Sequence, residues 1–528
     1  MIKILLATLL WIGAYQLCEA QNKPAKKDIV PIQNMMNLDR YKEAADNLTP
    51  LIKKHPDYAL LDLMYGICLL NMHKRTNDAI IPLEKAKSKY GIYSKRDDYA
   101  LETNYHLAQA YHLTHQFDKA LKVLEELSNA VPLKRESVHA QINQLSANCR
   151  HALHFKKNPV DYRITNLGQA INSEYNEHSP VISGDEGLLM FTSNRYRTQQ
   201  KNSAERLIPE DIYLSKWREG SWVPALSADP TINSDGYDAT CSLSPDGKTL
   251  IQYRSHAKGD LYMSNFENQK WTKPQKLPKP INSPYEESHG SLSLDGNTII
   301  FTSDRPDGIG GKDIYISKKL PDGKWGKVIL LGEEVNTAFN EESPFLSYDG
   351  KTLYFASEGH TSMGGFDIFK SERDSSNNWT KAQNIGYPIN TPGDDLFYIP
   401  TFDKQRVYFA SERPGGYGQS DIYIIEYPVS DDRSLAVVSG FLFTQDGQPS
   451  GSSRITVTNL STGEEEGIYR PQTNSGKYIM ILPTGIDYQM TVETAGKTSI
   501  TQTFKIASRS DYKTQATATF LDPLVIKD

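Results

Sequence analysis

Apolar and polar positions fall into three textures along this chain. From about residue 30 to 157 apolar residues recur three and four apart, in YALLDLMYGICLLNM, DAIIPLEKAKSKY, YALETNYHLAQAYHLT and FDKALKVLEELSNAV, the spacing of short helices that bury one face. From about 162 to 430 the period drops to two, in runs of five or six residues bounded by Gly, Asp and Asn, which predicts short strands and turns. After residue 434 the alternation continues in longer runs, AVVSGFLFT, RITVTNL and KYIMILP, and predicts a small antiparallel sandwich over 434–524. The expected fold class is multidomain α and β: a helical array, a propeller and a sandwich.

The middle texture is a repeat. SPDGKTLIQY, SLDGNTIIFTS and SYDGKTLYFAS place Asp246, Asp295 and Asp349 at turns, and SGDEGLLMFTS and TFDKQRVYFAS are looser copies at Asp185 and Asp403. Downstream of each stands an alternating strand opening at Asp211, Asp260, Asp313, Asp367 or Asp421, the last three intervals being 53, 54 and 54 residues. A Trp segment and then an Ile-Asn or Val-Asn pair follow in the first four copies. Each unit reads as four strands, one propeller blade, and five copies predict five blades. The fifth copy lacks its last strand, while YRITNLGQAIN at 162–172 precedes the first copy and resembles the end of the fourth. Residues 163–168 are therefore expected to close the ring by completing the last blade.

GIGGKD at 308–313 returns as SMGGFD and GYGQSD, always before an alternating strand. A calcium-binding glycine repeat needs a nine-residue period, and a phosphate loop needs Lys and Ser or Thr opening a helix. The expectation is a tight corner whose glycines take positive φ and whose Asp binds turn amides. Six residues past each Ile or Val of the Ile-Asn pairs stands an acid: Glu177, Asp238, Glu287, Glu341 and Asp395. Five carboxylates before the innermost strands form a candidate ring that binds a cation or a partner's Lys or Arg. The alternative is that each pairs locally, with backbone amides or with Arg195, Arg305 and Arg413.

Three resemblances follow from these residues. NYHLAQAYHLTHQFDKALKVLEELSNAVP resembles a tetratricopeptide repeat, with Leu107, Ala108, Tyr111, Ala120, Leu124 and Pro132 at its positions and Gly66 at the close-packing position of a less regular copy, and implies a helical domain over 30–157. LSYDGKTLYFASEGHTSMGGFDIFKS and its sisters resemble the blade repeat of exported bacterial propellers related to TolB, over 162–430. Gly440, Ile455, Val457, Gly476, Tyr478, Pro483, Gly485 and Tyr488 resemble the carboxypeptidase regulatory-like fold over 434–524. The order of the three is similar to the PorE family of the Bacteroidota, which implies type IX secretion and usually adds an OmpA-like peptidoglycan-binding domain. This sequence stops at ATFLDPLVIKD, where that domain would begin, so the natural chain either continues into it or lacks it.

Charge and targeting refine the picture. Lys3 and the run ILLATLLWIGAYQL read as a signal peptide over 1–20, cleaved after Ala20, with acylation of Cys18 as the alternative. No other run approaches the length of a membrane span. Cys68, Cys149 and Cys241 then remain, an odd number that reads as buried thiols, a Cys68–Cys149 bridge being the other option. Residues 21–160 carry 21 Lys and Arg against 15 Asp and Glu, and 161–528 carry 36 against 48, so a basic helical part faces an acidic remainder. A net charge of -6 gives no field that favours nucleic acid.

GxSxG and HExxH are absent, and His112 and His115, three apart on a helix, read as a surface pair rather than a metal site. The expected function is a non-enzymatic periplasmic scaffold, free of cofactors and metals, that binds protein partners of an outer-membrane-associated machine and links it to the cell wall. The alternative is a glycan- or peptidoglycan-binding module.

Overall fold

The computed structural model describes residues 23–526 apart from 96–97, 196–208, 257, 295, 349, 403, 428–434, 473–474 and 507–518. The expected signal segment 1–20 with Cys18, and the turn residues Asp295, Asp349 and Asp403, lie outside the described residues.

Seven helices occur among the described residues: α1 (Lys26–Asn37), α2 (Tyr41–Lys54), α3 (Ala59–Leu70), α4 (Thr76–Tyr90), α5 (Tyr99–Leu113), α6 (Phe117–Ala130) and α7 (Glu136–Lys157). The three-and-four spacing decides their buried faces; α6 buries Phe117, Ala120, Val123, Leu124 and Leu127. Gly66 on α3 permits the closest crossing, since a Cβ there would lie 2.5 Å from Cγ of Leu83 on α4.

The expected fold class, opened by a tetratricopeptide-like array, is corrected. Among the described residues about 23% are helix against 34% strand, and the strands are mainly antiparallel. Its helices form one irregular layer: α1, α3, α5 and α7 begin at Lys26, Ala59, Tyr99 and Glu136, at unequal intervals, whereas a tetratricopeptide array repeats every ~34 residues. Unequal intervals prevent identical helix pairs from stacking in register.

Five of the seven sheets form a β-propeller. The innermost strands are Glu177–Ile182, Asp238–Leu243, Glu287–Leu292, Glu341–Leu346 and Asp395–Pro400, and we number blades one to five in that order. The first strands neighbour one another around the ring, and the fifth blade touches the first. Arg163–Asn166 pairs antiparallel with Asp421–Glu426 and supplies the outer strand of blade five, so the two ends of the propeller are hydrogen-bonded together. Antiparallel order puts the turns between first and second strands on one face, and the second-to-third corners with the blade-to-blade connections on the other.

The Asn of each Ile-Asn pair staples that connection to a third strand. Asn336 Oδ1 accepts from Ile314 N at 2.8 Å, and its Nδ2 donates to Leu331 O at 2.6 Å and Ile314 O at 3.1 Å. Asn172 makes the corresponding bonds to Ile422 across the closure.

The glycine corners hold a second correction. Gly308, Gly310 and Gly311 do not take positive φ; a side chain at Gly308 would collide with Asp313 of the same corner, and at Gly310 and Gly311 another segment passes too close. A Cβ on Gly310 would meet Phe339 O and Thr337 O at 2.3 Å, and one on Gly364 would meet Thr391 O and Pro392 O at 2.5 Å. As read from sequence, Asp313 Oδ2 accepts from the corner amides of Ile309 and Gly310 at 2.9 and 3.1 Å.

The last two sheets face each other over Val438, Leu442, Ile455, Val457, Tyr488 and Met490. This sandwich caps the face of the first-to-second-strand turns. Phe402 clusters there with Val437, Ile479 and Ile481, Tyr348 stacks on Phe402 at 3.5 Å between centroids, and Lys477 pairs with Asp185.

The helical layer grips the opposite face at blades four and five. Asn148 and His151 of α7 bond Gly364 O at 2.7 Å and Ser362 O at 2.9 Å, and Met363, fully buried, joins the helical core. Cys68, Cys149 and Cys241 are all buried free thiols.

Asn336→Ala leaves Ile314 and Leu331 backbone groups unpaired in the interior. A loss of about 3 kcal/mol is expected. It is read as a lower denaturant midpoint for the variant.

Candidate functional site

The five acids of the sequence column open the innermost strands, and all five are fully buried. They line no common mouth, so the expected partner-binding ring of Glu177, Asp238, Glu287, Glu341 and Asp395 is corrected. Each is consumed by its own joint. Glu177 accepts from Ser173 N and Oγ at 2.7 Å, from Ser193 Oγ at 2.6 Å and from Arg195 Nε at 3.1 Å. Glu287 repeats this with Ser283, Ser303 and Arg305, and Asp395 with Thr391, Ser411 and Arg413. In blade two Arg254 pairs with Asp238 at 2.8 Å. Each of these arginines also lies over an aromatic ring, Arg305 at 5.0 Å from Phe301 and 5.4 Å from Tyr315. A buried carboxylate survives when charge and hydrogen bonds answer it, and these joints do both.

Blade four departs from the pattern. Gly359 stands where blades one, three and five have arginine, and a Cβ there would lie 2.3 Å from Thr337 Oγ1. His360 takes the guanidinium's place over the aromatic ring, 5.3 Å from Phe369, with Nε2 at 2.8 Å from Val335 O. Glu341 is left with Ser357 Oγ at 2.6 Å, Thr337 Oγ1 at 2.7 Å and Thr337 N at 2.8 Å. Burial outweighs these hydrogen bonds and pushes Glu341 up to about 7. The helical layer docks on this same corner, where Gln144 Nε2 reaches Glu358 O at 3.3 Å.

The next two positions of the first strands turn towards the axis. They vary between blades: His178, Ala239, Ser288, Glu342 and Leu396, then Ser179, Thr240, His289, Ser343 and Phe397, serine recurring at the second position of blades one and four. A register irregularity interrupts each first strand here, and Ser179, Ser343 and Phe397 take φ of 50°, 49° and 58°. Left-handed backbone at a non-glycine residue costs about 1 kcal/mol or more and is tolerated where the surroundings fix it.

The result is a polar cluster. His178 Nε2 lies 3.2 Å from Glu210 Oε1; Lys312 Nζ reaches Glu342 at 2.9 Å and Glu286 at 3.2 Å; Ser288 Oγ donates to Glu342 at 2.6 Å, and Tyr253 OH to Glu286 at 3.1 Å. The Phe397 ring lies 5.5 Å from His178 and 5.4 Å from His289. Towards the other face is a cavity of about 310 Å³ with a mixed lining, Val181, Leu243, Leu292 and Phe345 beside Ser242 and Lys319.

The sequence column pointed to the wrong residues because it rewarded recurrence. The side chains that face the axis are the ones that vary, and the signal that finds them is the break in the repeat immediately after each acid.

His112 and His115 are not a surface pair. His112 is buried with Nδ1 at 3.2 Å from Cys149 Sγ, and burial depresses it to about 3. Among the described residues no three His, Cys, Asp or Glu side chains converge to hold a metal ion.

No family model and no curated protein matches this chain. Solved structures with which it aligns include an α-L-arabinofuranosidase from Lactobacillus brevis, at 13% identity over 51% of this chain and 96% of that one, with a TM-score of 0.32. A xylan β-1,4-xylosidase from Bacillus halodurans aligns at 11% identity over 67% and 94%, TM-score 0.30, and a β-xylosidase/α-arabinofuranosidase from a compost metagenome at 9% over 52% and 97%, TM-score 0.33. The names of these proteins are those of glycoside hydrolases, and the expectation that the chain is not an enzyme is corrected on that finding. Their reactions stay with them, since alignments this distant transfer no residue role.

The blade-four joint predicts a pH effect. Glu341 binds its proton more tightly in the folded chain than in the unfolded one, so this contribution is full below about 4.5 and is lost as pH rises through about 7. Glu341→Gln removes it. Unfolding midpoints at pH 5 and pH 8 are expected to show the variant gaining on the parent by about 2 kcal/mol at the higher pH.

Proposed function

We propose that this protein is an exported scaffold of the cell envelope, held in the periplasm beside the outer membrane, which binds protein partners of a secretion machine of the type IX kind and links it to the cell wall. The observation that carries the reading is the two-sided grip on the propeller. The helical layer fastens to the corners of blades four and five, and the sandwich to the turns of the opposite face. Such a body presents several surfaces in fixed mutual geometry, which is what an adaptor between partners requires. The class of partner is suggested by the propeller and the sandwich in that order, two of the three parts on which the similarity to the PorE family was drawn. No helix among the described residues is long and apolar enough to cross a membrane.

A second reading, a glycan- or peptidoglycan-binding module, is favoured by Trp217. Its indole is 47% exposed and stands edge-on to Trp222 at 5.2 Å, a flat apolar face open to a sugar ring.

Two measurements separate the readings. A tagged chain isolated from the envelope of the source organism is expected to bring down a reproducible set of outer-membrane proteins, and its deletion to impair secretion. Purified residues 21–528 mixed with peptidoglycan sacculi are expected to stay in solution at moderate salt. Saturable pelleting that resists salt and disappears in Trp217→Ala would replace the scaffold with the glycan-binding module.

A further inference from the structure

We propose that the axial cluster of His178, Glu210, Glu286, His289, Lys312 and Glu342 is a binding site for an organic cation, an ammonium or guanidinium group entering from the face of the blade-to-blade connections. The inference stands independently of the scaffold reading, because it concerns a site rather than a partner.

The first support is local charge. Two carboxylates meet one lysine, and a third pairs with a histidine. Among the described residues Lys312 is shared by Glu286 and Glu342, and Glu210 pairs with His178, which carries charge only when protonated. Burial by itself would lower Lys312 and raise Glu342; their mutual attraction overcomes it in both, so the lysine lies above its usual range and the glutamate below. Both are therefore charged at neutral pH, and among the described residues of this partly desolvated site negative charge is in excess, where attraction for a cation exceeds its value in water.

The second support is His289. Its side chain is 4% exposed and makes no hydrogen bond among the described residues, yet its ring lies against Phe397 and interacts with both Glu342 and His178. Burial depresses it to about 4, so the imidazole is neutral and keeps an unused acceptor beside the carboxylates. An imidazole with no hydrogen bond to the chain around it is free to bond what enters the site.

Entry is open. Glu210, Glu286 and Lys312 keep side-chain exposures of 27%, 28% and 27%. Since no three ligating side chains converge on a point among the described residues, their geometry suits a polyatomic cation with several N–H donors. Phe397 adds an aromatic wall to that site.

The test is calorimetric titration of residues 21–528 with butylammonium and with a short lysine-containing peptide, the same peptide Nε-acetylated serving as the neutral control. Saturable binding of a charged probe and none of the acetylated peptide is expected. Glu342→Gln and Glu210→Gln should each weaken it about tenfold. Lys312→Met removes the resident cation and should tighten it, an opposite sign that a merely unfolded variant does not produce. Tighter binding of the peptide than of butylammonium assigns the cation to a partner's side chain, and equal binding assigns it to a free amine. Absence of saturable binding to the parent chain, equal binding of the acetylated peptide, or unchanged affinity in both glutamine variants overturns the site.

Discussion

Five buried carboxylates hold this propeller together. An ionised side chain inside a protein is costly unless opposite charge and hydrogen bonds surround it. In four blades that requirement fixes an arginine, a serine or threonine four residues before the acid and, in three of them, a serine sixteen residues after it. These partners come from the connection, the first strand and the second-strand corner, so satisfying one charge orients three segments. The stapling asparagines add the third strand. Blade shape and blade-to-blade angle follow from the joint.

Where the joint relaxes, the molecule does something else. Blade four has no arginine at the corner, and the corner is smaller there: glycine in place of arginine, histidine over the aromatic ring. Freed of a guanidinium, the backbone at Glu358, Ser362 and Gly364 presents its carbonyls to α7, and Met363 passes into the helical core. The same departure leaves Glu341 without a cation. A docking site and an altered carboxylate thus have one cause.

The axis follows a different rule. Residues immediately after each acid are released from the joint by a break in strand register, and they carry whatever chemistry the axis needs: histidine, glutamate and phenylalanine in place of a repeated residue. The rigid joints position these variable side chains, and the two ends of the axis differ, with the Lys312–Glu342 pair near one face and a cavity of mixed lining near the other.

Much of the propeller was legible because its determinants are local. Period-two runs bounded by turns give strands, a spacing of 53 or 54 residues gives blades, and Arg163–Asn166 matched the missing outer strand of the last copy. The local alternative for the acids, pairing with Arg195, Arg305 and Arg413, was visible for the same reason. The helical layer was overread: three-and-four spacing establishes helices but not the constant interval an array requires.

Tertiary structure alone decided the rest. Corner glycines such as Gly310 and Gly364 are demanded by the connection that passes beside them, which no local reading of φ reveals. The axial cluster assembles residues from blades one, two, three, four and five, whose meeting point depends on ring closure. Sequence fixes what repeats along a chain; only the closed ring decides which non-repeating residues come face to face.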